Sequence, residues 1–226
     1  SQLSSAPDRD GFVGKSSLIV DFPTAEGTIE QFRVWNSPIM HPDLALKFPM
    51  IKTYVAQGVE DPTSYMRFSI TQFGLHTMTL SGNKSTSYID PYTSDMSSYM
   101  VYDRKSLGAD TQPFECLTEE NDAKLRSLEK DRNSGATYKA DADDMKMRKY
   151  RLAQTCNAEY GNVFTAGGGS DAQNKAEVQA AMTVTLNRVN TVYEVDLGIT
   201  LEFIANNDDC IFYGATGSDP WAGEYN

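Results

Sequence analysis

The chain has 226 residues, a length that suits one large domain or two small ones. Its 31 acidic and 20 basic residues give a formal net charge of −11. A protein that binds duplex nucleic acid needs a basic face to displace counterions from phosphate, so this composition argues against such a partner. No apolar run approaches the ~20 residues that a membrane span requires. The two histidines exclude a three-histidine metal centre supplied by this chain alone.

Residues 1–108 have the pattern of an all-β domain that folds by itself. Short runs with alternating apolar residues predict strands at 17–22, 30–35, 65–70 and 75–80. Gly27 and Gly74 lie in the breaks between predicted strands, where tight hairpins need a positive φ. Between the second and third strands, residues 43–48 predict one or two helical turns bounded by Pro42 and Pro49.

Residues 109–146 change in character and predict an exposed linker. The stretch 118–133 is almost wholly polar, with only Leu125 and Leu128 as apolar anchors. Such a segment buries too little apolar surface to offset the entropy of ordering it. Exposed polar segments are also where proteases cut. The candidate processing residues for a trypsin-like protease are Arg126, Lys130, Arg132 and Lys139.

Residues 147–226 have a β-α-β pattern. A first strand is predicted at 150–156 and a second at 196–205. Ser170 and Gln173 have the spacing of a capping box, which predicts the start of a long helix. Its apolar residues recur at i, i+3, i+4 and i+7: Val178, Ala181, Met182, Thr185, Leu186, Val189, Val192 and Tyr193. One helix and two strands leave that apolar face short of partners, so we expect an incomplete α/β domain within an α+β chain.

Two groups of motifs resemble the secreted reprolysin-like (adamalysin-type) zinc metalloproteases, a metzincin family, of Bacteroidetes. The first group is S-P-I-M-x-P-D-L-A-x-K-F-P-x-I-K-T-Y at 37–54, G-V-x-D-P at 58–62 and Y-I-D-P-Y at 88–92. It resembles the family's propeptide. The second group is Y-R-L-A at 150–153, T-x-x-L-N-R-V-N at 183–190, Y-E-x-D-L-x-I at 193–199 and I-A-N-N at 204–207. It resembles the first β-α-β unit of the family's catalytic domain.

The resemblance implies a secreted zymogen whose prodomain inhibits the catalytic domain and assists its folding. Such enzymes carry H-E-x-x-H-x-x-G-x-x-H, whose histidines bind zinc and whose glutamate acts as general base. This sequence lacks the motif, so no catalytic residue or zinc ligand is assigned to it. We therefore expect an N-terminal fragment that is inactive alone, its zinc ligands lying elsewhere in a parent enzyme that hydrolyses protein or peptide substrates. No basic and then apolar leader opens the sequence, so any secretion signal is expected to be already removed or to lie outside it.

Cys116 follows the predicted prodomain and precedes the polar linker. A thiolate there could occupy the fourth zinc position of the parent enzyme, which is the cysteine-switch hypothesis known from related metzincins. The alternative is a free or disulfide-bonded cysteine. Cys156 and Cys210 are expected to pack, or to pair with residues outside this chain.

Other chemistry-bearing residues have ordinary explanations. His41 lies in a loop and His76 in a strand, and both are interpreted as structural or surface residues. Asp208 and Asp209, with Asp196 and Glu194 near them in sequence, fit either a calcium site or a solvated turn, and EF-hand spacing is absent. Two alternatives to the zymogen remain: a non-catalytic β-rich binding or structural module with a degenerate protease remnant, and a stand-alone protease inhibitor.

Overall fold

A computed structural model describes residues 2–9, 16–108, 146–165, 169–215 and 219–220. These residues form an α+β structure with a curled seven-stranded antiparallel sheet, a two-stranded parallel sheet and three α-helices. The predicted linker lies almost wholly outside the described residues. Outside them too are its candidate residues, namely Cys116, Arg126, Lys130, Arg132 and Lys139.

The large sheet is a meander in which each strand pairs with the next in the chain. Its strands are β1 (Ile19–Pro23), β2 (Ile29–Asn36), β3 (Lys52–Gly58), β4 (Tyr65–Thr71), β5 (Gly74–Leu80), β6 (Ser87–Pro91) and β7 (Tyr99–Asp103). The four predicted strands are confirmed as β1, β2, β4 and β5. Gly27 and Gly74 have φ values of 80° and 91°, as tight hairpins require.

The sequence pattern missed three of these strands for physical reasons. Four consecutive residues of β3 are buried, so the strand shows no alternation of polar and apolar residues. β6 and β7 are only five residues each, and β6 contains Asp90 and Pro91, which are poor strand formers.

The remaining elements are α1 (Pro42–Lys47), β8 (Arg148–Leu152), α2 (Ala158–Phe164), α3 (Asp171–Leu197) and β9 (Ile199–Phe203). The capping box of α3 is confirmed: the Ser170 hydroxyl accepts from the Gln173 N–H, and the Gln173 side chain accepts from the Ser170 N–H. β8 and β9 are parallel and α3 connects them. The predicted second strand began too early, because α3 continues to Leu197 and ends on the left-handed Gly198.

The described residues have two apolar cores. The first lies inside the curl of the large sheet and comes only from the N-terminal segment: Phe22, Phe32, Val34, Tyr54, Ala56, Met66, Phe68 and Ile89. The second contains residues of both segments: Ile39, Met40, Leu44, Phe48 and Ile51 with Cys156, Val178, Ala180, Met182, Leu186, Phe203 and Ile211. The N-terminal segment therefore supplies the partners that the apolar face of α3 lacks within its own segment.

The two segments belong to one compact unit, Ser1–Ser106 with Met147–Asn226. Residues Leu107–Lys146 form a separate unit, of which residues 107, 108 and 146 are described. Within the described residues, no helix combines the length and apolarity needed to cross a bilayer. Autonomous folding of residues 1–108 stays a prediction. The composition of the two cores indicates which fragment should unfold cooperatively by itself.

We expect isolated residues 1–108 to unfold cooperatively, because the first core lies wholly within them. Isolated residues 147–226 should show no cooperative transition, because nearly half of the second core is then missing. Thermal unfolding followed by circular dichroism of each fragment, and of the equimolar mixture, checks this. A cooperative transition in isolated 147–226 would contradict it, and a gain of helix signal on mixing is expected.

Candidate functional site: the polar interface between the sheet and α3

α3 packs against β4 and β5 on the outer face of the large sheet. The predicted apolar positions Val178, Ala181, Met182 and Leu186 are buried, whereas Tyr193 is 38 % exposed. A polar stripe of the helix is also buried: Asn174, Gln179, Thr183, Asn187, Asn190, Thr191 and Glu194. The helix is thus buried on two sides. The apolar periodicity of the sequence indicates only one of them, because the residues on the other side are polar.

Arg67 of β4 is the largest fully buried side chain among the described residues. Its Nε donates to Asn187 Oδ1 at 2.8 Å and its Nη1 donates to Glu194 Oε1 at 2.7 Å. Its Nη2 donates to the Ser37 carbonyl and hydroxyl oxygens, both at 3.2 Å. Every nitrogen of the guanidinium is therefore bonded, which a buried positive charge needs.

Glu194 of α3 is the carboxylate that compensates this charge. Its side chain is 1 % exposed, and its Oε2 accepts from Arg9 Nη1 at 2.9 Å and from the Tyr65 hydroxyl. Burial opposes ionisation, but the charges of Arg67 and Arg9 and the Tyr65 hydrogen bond outweigh it, so the pKa of Glu194 lies below its ordinary value. Glu194 is therefore ionised, held by three residues of the N-terminal segment.

Tyr65 contributes a proton donor to this cluster. Burial, the largest effect, raises the pKa of its phenol, and the Glu194 charge adds to the rise against the opposing charges of Arg67 and Arg9. The phenol thus stays protonated and donates to Glu194. We call Arg9, Tyr65, Arg67, Asn187 and Glu194 the Glu194 cluster.

A pocket of about 440 Å³ lies beside the Glu194 cluster. Its lining includes Arg9 and Glu194 together with Asp8 and Lys149. Each charged lining group has a partner: Asp8 accepts from Asn36 at 2.6 Å, and Lys149 Nζ lies 2.6 Å from Glu202. The pocket therefore lies at the seam between the two segments.

A second charged cluster joins the large sheet to α3 with the signs reversed. Asp90 of β6 accepts from Arg188 of α3, from the Tyr102 hydroxyl at 2.6 Å, and pairs with His76 Nδ1 at 2.7 Å. Arg188 also donates to the Thr77 carbonyl at 3.2 Å. Burial opposes ionisation of Asp90, but His76, Tyr102 and Arg188 together hold its pKa below the ordinary value. We call this the Asp90 cluster.

The interface is not fully complementary. Among the described residues, three buried side-chain polar atoms of β4, β5 and the facing part of α3 have no hydrogen-bond partner: Ser69 Oγ, His76 Nε2 and Arg188 Nε. Two more such atoms, Asn174 Oδ1 and Gln179 Nε2, belong to α3 residues that bond within their own segment. Each such group costs ~1–3 kcal/mol. The polar part of the interface therefore fixes which residues pair. It stabilises the docked helix less than an interface in which every buried polar atom is hydrogen-bonded.

Backbone pairing links the segments at a third place. The Phe203 N–H donates to the Ile39 carbonyl at 2.8 Å and the His41 N–H donates to the Phe203 carbonyl at 3.0 Å. Met40 thus forms a single parallel bridge with Phe203, the last residue of β9. Nearby, Lys47 Nζ bonds both carboxylate oxygens of Asp208 at 2.8 Å.

The histidines hold structural positions. His41 caps α1, where its Nδ1 accepts from the Asp43 N–H at 3.2 Å, and His76 pairs with Asp90. In the described ranges no group of three His, Cys, Asp or Glu side chains could hold a metal ion. These residues do not fit the zinc of a metzincin, so no step through zinc is derived from them.

The other singled-out residues are dispersed. Glu194 and Asp208 pair with cations rather than with each other, and Asp209 accepts from Asn206 at 3.3 Å. Cys156 is buried and Cys210 partly buried, both as free thiols. Burial raises the pKa of the Cys156 thiol, whose Sγ lies 3.6 Å from the Phe212 carbonyl oxygen. Cys156 therefore packs as a thiol, which is one of the two outcomes expected for it.

Comparison with known proteins gives no relative. No protein-family model, curated protein or solved structure matches the chain. The sequence motifs nevertheless meet in the structure. Asp90, from the first group of motifs, bonds directly to Arg188 of the second group. Ser37, also from the first group, accepts a hydrogen bond from Arg67, which in turn donates to Asn187 and Glu194 of the second group.

Glu194→Gln is expected to lower the free energy of unfolding by about 3 kcal/mol, because it leaves Arg67 buried without a countercharge. Glu202→Gln is the matched control: it removes an ion pair with the largely exposed Lys149 and should cost less than ~1 kcal/mol. Urea unfolding of both variants measures the difference. Equal losses in the two variants would show that Arg67 does not need this carboxylate.

The stability given by Glu194 should depend on pH. Because its folded-state pKa lies below the ordinary value of 4.5, its contribution is present above that pH and is lost as the pH falls through the folded-state pKa. The gap in unfolding free energy between the parent chain and Glu194→Gln should therefore be constant near neutrality and narrow in acid. Urea unfolding at several pH values checks this, and a gap that widens on acidification would contradict it.

Proposed function

We propose that the chain is the N-terminal part of a secreted zinc metalloendopeptidase precursor, with residues 1–108 as a prodomain and 147–226 as the first part of a reprolysin-like catalytic domain. The observation that carries the proposal is the shared second core. The β-rich segment supplies Ile39, Met40, Leu44, Phe48 and Ile51 to the core of a β-α-β unit that lacks enough apolar partners. A prodomain that assists folding would supply packing partners to the catalytic segment in this way.

The polar interface supports release as well as assembly. A permanent interface is mostly apolar, whereas interfaces between separable domains are more polar. Here the outer face of the sheet meets α3 through two ion pairs of opposite orientation, the buried Arg67–Glu194 pair and the partly buried Arg188–Asp90 pair. Such pairs fix one docking arrangement, and the unpaired polar atoms around them lower the cost of separation.

The position of the polar stretch 109–146 fits a processing site. It follows the last strand of the large sheet and precedes β8, so one cut there severs the only covalent link between the two segments. Its Arg126, Lys130, Arg132 and Lys139 are candidate sites for a trypsin-like protease. After cleavage, the second core, the two ion-pair clusters, the Met40–Phe203 bridge and the Lys47–Asp208 ion pair would still hold the segments together.

The parent enzyme would hydrolyse protein or peptide substrates. Zinc would supply an activated water, and its ligands would come from a part of the precursor other than this chain. In the chain itself, residues 1–108 would cover and template the catalytic segment. Cys116 is the proposed thiol that blocks zinc before cleavage, and a bound calcium ion is an open part of the proposal.

The proposal predicts that the 226-residue chain has no peptidase activity, because it carries no H-E-x-x-H motif. A peptide-hydrolysis assay with added zinc should stay at background. The parent precursor should contain that motif downstream and should gain activity when residues 109–146 are cut. Chelator-sensitive hydrolysis by the 226-residue chain, or a parent sequence without the motif, would contradict the proposal and favour a non-catalytic module.

Cys116→Ser in the parent precursor separates two forms of inhibition. If the thiol blocks zinc, this variant gains activity before any cleavage. Cys210→Ser, which removes a partly buried thiol in the catalytic segment, is the matched control and should leave the precursor silent. A silent Cys116→Ser precursor that cleavage still activates would leave coverage by residues 1–108 as the inhibitory mechanism.

A further inference from the structure

His76 lies on the outer face of the large sheet, which is the face that α3 covers. Its neighbour across the strand pair is Ser69 of β4, two residues from Arg67. Residues two apart in a strand, and residues directly opposite each other, share one face of a sheet. Because the Arg67 side chain bonds to Asn187 and Glu194 of α3, His76 lies on the same face. The imidazole is therefore at the contact between β5 and α3.

The charged and titratable groups around His76 come from four elements. Asp90 of β6 pairs with its Nδ1 at 2.7 Å, and the Tyr102 hydroxyl of β7 donates to the same carboxylate. Arg188 of α3 donates to Asp90 Oδ1, the same oxygen atom that His76 Nδ1 contacts. On β4, Arg67 carries a further positive charge, which is already paired with α3. One carboxylate oxygen thus holds an imidazole of the sheet and a guanidinium of the helix side by side.

These contacts fit a neutral imidazole. Since the pKa of Asp90 lies below its ordinary value, the carboxylate is ionised and His76 Nδ1 carries the proton that it accepts. The other ring nitrogen, Nε2, is buried and has no partner among the described residues. A second proton would place an N–H there without an acceptor, which costs free energy. It would also add a positive charge beside Arg188, at a carboxylate that the two cations would share. The docked arrangement therefore opposes the uptake of a proton by His76.

Undocking of α3 would remove both of these costs. Asp90 and Tyr102 belong to the sheet, as His76 does, so they stay beside the imidazole in either state. Arg188 leaves with the helix, and Nε2 gains access to water. A proton on His76 is then stabilised by Asp90 without a competing cation. Docking of α3 and protonation of His76 therefore oppose each other.

We propose that His76 is a pH-sensitive switch for the docking of α3, and that acid weakens this docking. Histidine is the side chain whose charge ordinarily changes between about pH 5 and 8. Because the undocked state binds the extra proton, docking is strongest at the upper end of this range and weakens as the pH falls through it. Asp90 and Glu194 stay ionised there, because the pKa of each lies below its ordinary value. The switch is therefore distinct from the loss of their charges in stronger acid.

In the proposed precursor, the switch would favour release of residues 1–108 at acidic pH, a consequence that rests on the proposed function. The docking equilibrium itself belongs to the 226-residue chain and is measured without peptidase activity. A chain that shows the switch, from a parent without the H-E-x-x-H motif, would keep the switch and contradict the precursor. The two proposals can therefore fail separately.

Hydrogen exchange of the whole chain between about pH 5 and 8, corrected for the intrinsic exchange rate at each pH, tests the proposal. The amides of α3 exchange when the helix undocks, because an isolated helix is marginally stable in water. We expect the protection of the amides at 178–191 to fall by about tenfold or more across this range as the pH is lowered. The amides that pair β2 with β3 report on the first core, and they should keep their protection.

Two variants assign the effect to His76. His76→Gln removes the ring that takes up the proton, so it should abolish the pH dependence of α3 protection. Arg188→Gln removes the cation that opposes the proton, so it should reduce the dependence, and it carries the test should His76→Gln not fold. His41→Asn is the matched control: it removes the other histidine of the chain and keeps an acceptor that can cap α1. This variant should show the same fall in protection as the parent chain.

Protection of α3 that does not change with pH in the parent chain would overturn the proposal. So would a pH dependence that persists undiminished in both His76→Gln and Arg188→Gln, or one that disappears in His41→Asn, because another group would then be responsible. Equal losses of protection in α3 and in the β2–β3 pair would also overturn it, since the whole chain rather than the helix would then respond to acid.

Discussion

The buried Arg67 guanidinium is the constraint on which the arrangement of the two segments depends. An arginine in the middle of a sheet, fully excluded from water, is strongly destabilising unless a carboxylate and further acceptors surround it. Glu194 and Asn187 of α3 supply them, from more than a hundred residues away in sequence. Arg67 can therefore be buried beneath α3 in only one register of the helix, because a shift along the helix would separate the charges.

Apolar and polar contacts have different roles in this assembly. The second core, to which residues 39–51 and α3 both contribute, supplies the hydrophobic free energy of docking. The Glu194 and Asp90 clusters add little net free energy but penalise every other docking arrangement. In the proposed precursor, a helix held in one arrangement by these clusters would suit a contact that forms during folding and is later released.

This division explains why the motifs and the site coincide. The sequence stretches that resemble a propeptide and a catalytic β-α-β unit contain the residues that bond across the interface, such as Asp90 and Arg188. In the sequence, Glu194 is notable only as part of an acidic cluster with Asp208. In the structure the two carboxylates belong to separate ion pairs, because each lies beside a cation of the N-terminal segment. Arg67 showed no distinguishing signal, since one arginine in an alternating strand is normally a solvent-facing residue.

The sequence by itself determined the local features of this protein. The Ser170–Gln173 capping box, the glycines of two hairpins and the prolines around α1 each act within a few residues, so their patterns are visible in one dimension. Tertiary structure decided the rest. Burial on both faces concealed β3, and the buried polar stripe of α3 appears in sequence as a solvated one. Which charges meet depends on contacts between residues far apart in the chain, and no local periodicity encodes those distances.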